Sequence, residues 1–301
     1  MMLALVIPYY KIVFFEETLE SLASQTDKRF KVYIGDDASL ENPLPLLDKY
    51  SGKFDFVYHR FEENLGGISL VQQWERCIDL IEDESWIMLL GDDDFLEETV
   101  VESWYRHYDF FNAKSNVIRF ATRSVNMQLN NKVSDSFTHP LWEKATVSYY
   151  RRFKGMTRST LSEYVFSKEA FLKFGLYDFP LAWHSDDAAW LSFSDNKPIY
   201  TINESNLFIR HSSFCISGNE RNQNLKDSAS ENFYATCIMK KIYLFTKTQR
   251  INLVLEYEIS IKKNRKLKNN EWLKIMWFYF SNQEFVLFLK CIRRFFLSLS
   301  I

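Results

Sequence analysis

Residues 86–96 read WIMLLGDDDFL: five apolar residues in a row, a glycine, three aspartates, then a return to apolar character. A continuous apolar run of that length, closed by a turn residue, predicts a buried strand over 86–90. The aspartates then fall just beyond its carboxyl end. The same grammar recurs upstream. LALVIPY at 3–9 predicts a first strand, and 16–25 (EETLESLASQ) places Leu19, Leu22 and Ala23 at helical spacing behind an acidic first turn. A second strand over 30–34 stops at Gly35-Asp36-Asp37. A third covers 54–60 and precedes a turn at Asn64-Leu-Gly-Gly67. Residues 69–81 form a helix with Leu70, Trp74, Cys77, Ile78 and Ile81 on one face. Strands alternating with helices predict an α/β fold, a mostly parallel sheet flanked by helices. In such sheets ligands bind at the carboxyl ends of strands, where both acidic clusters lie.

Further along, 117–121 predicts another strand, while 126–158 is polar and turn-rich with scattered aromatics. Order resumes over 163–174. Trp183-His-Ser-Asp-Asp187 then leads into the apolar stretch 188–193, and 198–203 reads as a final strand. Residues 228–245, 251–261 and 270–299 have helical character. The organisation is a domain over 1–218, with halves at about 1–115 and 116–218, and a helical extension over 219–301.

The 301 residues include 27 Phe, 16 Tyr and 8 Trp but only 8 Gly. No G-x-G-x-x-G and no G-x-x-x-x-G-K-[ST] can be assembled from those glycines, so a dinucleotide fingerprint and a P-loop are both excluded. The four cysteines (Cys77, Cys215, Cys237, Cys291) have no C-x-x-C spacing and read as reduced core thiols of a cytoplasmic protein. No signal peptide and no spanning segment is expected. From Lys240 onward there are 13 Lys and Arg against 4 Asp and Glu, whereas the preceding residues hold 24 against 35. An acidic body with no recognition module argues against a nucleic-acid partner.

Three adjacent aspartates repel one another unless a cation sits among them, and Mg²⁺ or Mn²⁺ is held by one or two carboxylates plus substrate phosphates. The competing reading is an acidic turn ahead of the helix near Glu97. Asp36-Asp37 either accept hydrogen bonds from a nucleobase or ribose or merely form a turn. Tyr9 and Tyr10 offer an aromatic face nearby. Asp186-Asp187 suit a general base; the alternative is an N-cap, Ser185 or Asp186, for the helix over 187–193. His211, after Ile209-Arg210, is a candidate metal ligand, though a lone His is more often structural.

Together these motifs resemble the family-2 glycosyltransferases, GT-A-fold enzymes that use nucleotide-diphospho-sugars. LVIPYYK is similar to the family's V-I-P-x-Y-N opening, with Lys11 in place of Asn. LESLASQTDKRFKVYIGDDAS, ENLGG, WIMLLGDDDFL and GLYDFPLAWHSDDAAWL follow in the family's order. The A-R-N after N-x-G-x is replaced by Ile68-Ser-Leu-Val-Gln-Gln-Trp, and the usual Pro after the D-x-D segment is missing. The resemblance implies that Pro8, Tyr10, Asp36, Asp37, Asp92 and Asp93 belong to the nucleotide-sugar site. Tyr10 lines the base pocket, Asp37 bonds the base with Asp36 in support, and Asp93 contacts ribose or sugar. It implies Asp94 as the ligand of a divalent metal, and Asp187, or alternatively Asp186, as the base of an inverting transfer. The acceptor, a glycan or lipid-linked hydroxyl in surface polysaccharide or glycan assembly, would enter through 126–165, where Trp142, Tyr149 and Tyr150 can stack on sugars. Two rivals are a sugar-phosphate nucleotidyltransferase, which wants a glycine-rich basic loop that VIPYYKIVFF lacks, and a catalytically silent sugar-nucleotide binder.

Residues 270–301 mix aromatics with Lys274, Lys290, Arg293 and Arg294. They suit either a peripheral membrane contact at the inner face of the membrane or packing on protein, including another subunit.

Overall fold

The computed structural model describes residues 3–126, 132–211 and 222–299. The chain divides into two compact units: Met1–Asp178 with Ser185–Asn219, and Phe179–His184 with Glu220–Ile301.

In chain order the first unit contains β1 (Leu3–Tyr9), α1 (Phe15–Ala23), β2 (Phe30–Asp36), α2 (Leu44–Asp48), β3 (Asp55–Arg60), α3 (Leu70–Ile78), β4 (Trp86–Leu89) and β5 (Phe95–Leu96). It continues with α4 (Val100–Phe111), β6 (Val117–Asn126), β7 (Lys132–Val133), β8 (Trp142–Lys144), α5 (Ala145–Phe153), β9 (Tyr164–Ser167), α6 (Lys168–Phe174), α7 (Ser185–Phe193) and β10 (Pro198–His211). The sheet runs β3-β2-β1-β4-β9-β6-β10-β5, with β7 added on β6 and β8 on β10. Strands β3, β2, β1 and β4 are parallel neighbours. Beyond them the sheet is mixed: β9 is antiparallel to both β4 and β6, while β6 and β10 run parallel.

Burial on both faces explains why β1 reads as an unbroken apolar run. Leu3, Leu5 and Ile7 share a core with Phe15, Leu19 and Leu22 of α1 and Val101 and Trp104 of α4. Side chains alternate along a strand, so Gly35 faces the other way, toward α3. A Cβ on Gly35 would lie 2.3 Å from the Cys77 sulfur, so only glycine admits this helix.

Two expectations for this unit change. The stretch 126–158 is not simply turn-rich, because it holds β8 and the nine-residue α5. The middle of ATVSYYRRF, Thr146–Tyr150, has poor intrinsic helix formers, and packing of Tyr149 plus Arg151 and Arg152 in the last turn sustains the helix. The last strand extends to His211 because a register shift between Ile202 and Asn206 absorbs the polar Asn203-Glu204-Ser205 and pairing then resumes.

The second unit contains α8 (Gln223–Phe233), a π turn (Tyr234–Ile238), α9 (Met239–Lys241), a 3-10 turn (Ile242–Leu244), α10 (Lys247–Asn264), α11 (Asn269–Ser281) and α12 (Phe285–Leu299). The stretch expected as helical over 270–299 is two helices, parted where Gln283 takes φ 59°. Phe233, Leu253, Val254, Ile261, Trp272 and Ile275 are among its buried apolar residues. Glu258, 1% exposed, is held by Lys262 at 2.6 Å and by two bonds from Arg294 at 2.7 Å. Cys77, Cys237 and Cys291 are buried free thiols, and Cys215 lies outside the described residues. No described helix is long and apolar enough to cross a membrane.

Candidate active site

Strands β2, β1 and β4 finish side by side. Tyr9 is opposite Asp36 in register, the Asp37 N–H donates to the Tyr9 carbonyl at 3.0 Å, and the Leu90 N–H donates to the Val6 carbonyl at 2.9 Å. This brings Pro8, Tyr10, Asp36, Asp37 and the Asp92–Asp94 triplet to one edge. Pro8 is half-buried in β1 opposite Gly35. Tyr9 is wholly buried against Phe15, so of the two tyrosines only Tyr10, 38% exposed, presents a ring to solvent.

Asp36 is buried and accepts from the Tyr58 hydroxyl (2.6 Å), Arg60 Nη1 (2.8 Å) and the Ser39 N–H (2.7 Å). Asp37 accepts from the Leu65 N–H (2.7 Å), the Gly66 N–H (2.9 Å) and Arg76 Nη2 (2.5 Å). Burial raises the Asp37 pKa, and those three donors oppose it. Both carboxylates thus fasten the site wall, and a nucleobase would find only their remaining lone pairs. A Cβ on Gly66 would sit 2.5 Å from Asp37 Oδ2, so this turn has no room for a side chain.

The aspartate triplet does not act as one group. Asp92 Oδ2 accepts the N–H groups of Tyr10 (2.8 Å) and Lys11 (2.9 Å), closing the end of β1, and burial raises its pKa to about 6. Asp94 accepts from the Ser162 hydroxyl (2.6 Å) and the Arg210 N–H (2.9 Å). Its pKa is pushed up to about 7 by burial first and the Asp93 charge second. The helix after the triplet starts only at Val100, with Thr99 before it, so these carboxylates are not its N-cap. Because Arg210 bonds Asp94, β10 delivers the next residue, His211, to the same edge, where the Asp93 charge acts on it. His211 Nε2 lies 3.3 Å from Arg158 Nη2, a partner it would exchange to ligate a metal. Among the described residues no three His, Cys, Asp or Glu side chains form a metal cluster by themselves.

Asp187, 3% exposed in the first turn of α7, pairs with Arg152 Nη1 of α5. Burial works against the Arg152 charge, but Asp187 and Asp186 hold its pKa above the ordinary value. A cavity of about 10 Å³ beneath the pair is lined by Tyr149, Tyr164 and Trp190, with room for about one water. Asp186 is half-buried. The Ser185 hydroxyl donates to the Tyr177 carbonyl at 2.6 Å, away from the helix amides that the alternative reading gave to Ser185 or Asp186. Of the expected stacking residues Trp142 is 38% exposed and Tyr149 is buried.

Ser162 adjoins Glu163, a fully buried carboxylate whose pKa burial lifts to about 7 against the pull of Arg119 and Thr160. His139 Nε2 stands 4.0 Å from Glu163 Oε1, but burial lowers the His139 pKa to about 3, so the imidazole is neutral and the contact is not an ion pair. The sign follows from a raised carboxylate pKa: stability from Glu163 is complete below its ordinary 4.5 and is lost as pH rises through about 7. A shift of that size corresponds to about 3 kcal/mol. Glu163→Gln is therefore expected to flatten the Tm-versus-pH curve across that window; parallel curves for variant and wild type would contradict it.

Sequence reasoning missed Ser162, Arg60, Arg76, Arg152 and Arg210. Each reaches its carboxylate from a distant segment, and no local motif marks it.

The architecture is a mixed α/β sheet that gathers acidic groups at the ends of its parallel strands. The family model "Glycosyl transferase family 2" matches residues 5–172, and the chain belongs to that family. Residues 1–349 of S. aureus TarS, in complex with UDP-GlcNAc, superpose with TM-score 0.60 at 15% identity over 87% of this chain and 82% of that one. A longer TarS structure gives TM-score 0.62 at 14% identity, over 92% of this chain and 47% of that one. The mannosyltransferase PcManGT from Pyrobaculum calidifontis, in complex with GDP-Man and Mn²⁺, gives 0.56 at 10% identity over 86% and 72%. These likenesses establish the GT-A-type fold. No curated protein sequence matches the chain.

Proposed function

We propose that the protein transfers a sugar, with inversion, from a nucleotide-diphospho-sugar to an acceptor hydroxyl on a glycan or lipid-linked substrate, as in surface polysaccharide assembly. The observation that carries this is the meeting of Tyr10, Asp93 and Asp94 at one strand edge, in the same unit as the Arg152–Asp187 pair.

The residues fit a divalent cation, Mn²⁺ or Mg²⁺. Asp94 is a buried carboxylate kept partly protonated by burial and by Asp93, a cost that a positive ion would remove. Asp94, with Asp93 or His211, would hold it, and diphosphate and water oxygens would complete the shell. When bound, such an ion offsets the charge that develops on the leaving diphosphate. Tyr10 offers a ring to the base, while Asp36 and Asp37 hold the wall on which the nucleoside rests. Arg152 pairs with Asp187 and holds its carboxylate in place. An acceptor hydroxyl approaching from the Arg152 side, where that side chain is 28% exposed, gives its proton to Asp187. Its oxygen bonds to the anomeric carbon as the bond to the diphosphate breaks, and the electron pair leaves with the nucleoside diphosphate. Asp186 is the alternative base.

Incubating the protein with candidate donors, Mn²⁺ and acceptor glycans, and following the anomeric proton by NMR, tests the reaction. The expected product has the anomeric configuration opposite to the donor. Retention would refute the single displacement. Tight donor binding with no turnover for any acceptor would favour a silent binder.

A further inference from the structure

The α11–α12 pair presents an exposed apolar face. On α12, Phe285, Val286, Leu289, Phe296 and Leu297 are exposed, and their spacing puts them on one side of the helix. On α11, Leu273, Trp277 and Phe280 do the same. Phe280 joins the two stripes, its ring 6.2 Å from Phe285 and 5.6 Å from Phe288. The opposite side of α12 turns inward through buried Cys291 and through Arg294, which is bonded to Glu258.

Charge on this face has one sign. Both acidic residues of the pair are occupied: Glu271 bonds Arg265 at 2.7 Å, and Glu284 bonds Lys247 at 3.0 Å. Lys274, Lys290 and Arg293 are exposed, and none has an acidic partner among the described residues. Arg293 lies inside the apolar stripe of α12 and Lys290 at its edge. At 15 residues α12 is about 22 Å long, short of the roughly 30 Å hydrocarbon core of a bilayer.

We propose that this face docks on an anionic lipid surface, with α11 and α12 lying in the plane of the interface. The aromatic and aliphatic side chains enter the boundary between headgroups and acyl chains. Lys274, Lys290 and Arg293 lay their stems along that apolar layer and reach lipid phosphates. A second copy of the chain fits less well, because a two-fold contact through this face would set two faces of the same positive charge against each other.

The test uses the full chain with vesicles of phosphatidylcholine alone and of phosphatidylcholine mixed with phosphatidylglycerol. Wild-type protein is expected to float with the mixed vesicles, to be released by salt, and to ignore the neutral ones. Each surface cation is worth roughly fivefold in affinity, so the triple variant Lys274→Gln/Lys290→Gln/Arg293→Gln should bind on the order of 100-fold more weakly. Trp277→Ser/Leu289→Ser should also lose binding, and unchanged Tm values for both variants would show that the fold persists. The wild-type measurement decides the matter even if a variant misfolds. Failure to bind anionic vesicles, equal binding to neutral ones, or a dimer by light scattering that these substitutions dissociate would each overturn the proposal.

Discussion

Asp94→Asn is expected to remove divalent-dependent donor binding, cut transfer by about 10³ (several kcal/mol of charge stabilisation), and yet make the unliganded protein more stable. The physical reason is one and the same. Asp94 is buried beside Asp93 with its pKa near 7, so at pH 8 the fold carries an ionised carboxylate at a cost. A pKa raised above the unfolded value means that stability is lost as pH rises through about 7. The amide removes that loss while keeping a group that Ser162 and the Arg210 N–H can still bond. The variant's Tm should exceed that of wild type at pH 8 in the absence of metal, and the gap should close toward pH 5. Adding Mn²⁺ and donor should stabilise only wild type. Calorimetry across that pH range checks both halves, and a variant that is less stable at pH 8 or still binds donor with metal would contradict the account.

Asp187→Asn is expected to slow turnover by about 10²–10⁴ while leaving donor affinity unchanged. The loss falls on the chemical step because Asp187, beside Arg152 and the Tyr149–Tyr164–Trp190 cavity, is assigned to the acceptor proton and not to the nucleotide. The substitution also leaves the Arg152 guanidinium without its nearest anion, so some loss of Tm is expected. Single-turnover rates at saturating donor and acceptor separate that loss from the chemistry. Asp186→Asn is the decisive companion and should lose less than tenfold, by roughly 1 kcal/mol. If Asp186→Asn proves the more damaging change, the base is Asp186.

Much of the sheet was legible because its central parallel strands β1, β2 and β4 are buried on both faces. LALVIPY and WIMLL could be read as strands without any partner in view. The elements that escaped reading are those whose form depends on distant packing. Helix α5 has β-branched and aromatic residues where a helical pattern would need simpler ones. Strand β10 continues past three polar residues only because a register shift at Ile202/Asn206 lets it rejoin β6. The division of α11 from α12 turns on one left-handed residue, Gln283, whose conformation no propensity announces.

The candidate site shows the same split. Its carboxylates stood out as clusters at strand ends, where mutual repulsion makes them conspicuous. Their donors did not, because Arg76 reaches Asp37 from 39 residues away and Arg210 reaches Asp94 from 116. The triplet that reads as one acidic motif performs at least two tasks, since Asp92 closes β1 whereas Asp94 meets Ser162 and β10.

The most direct test is a thermal-shift comparison of UDP-, GDP-, dTDP- and CMP-sugars with and without Mn²⁺, on wild type and Asp94→Asn. At ligand concentrations 100 times Kd, binding should add about 2.7 kcal/mol, a rise of several degrees in Tm. The account predicts such a rise for one nucleotide class, only with metal and only in wild type. Folded wild-type protein that none of these donors stabilises, with or without metal, would contradict it.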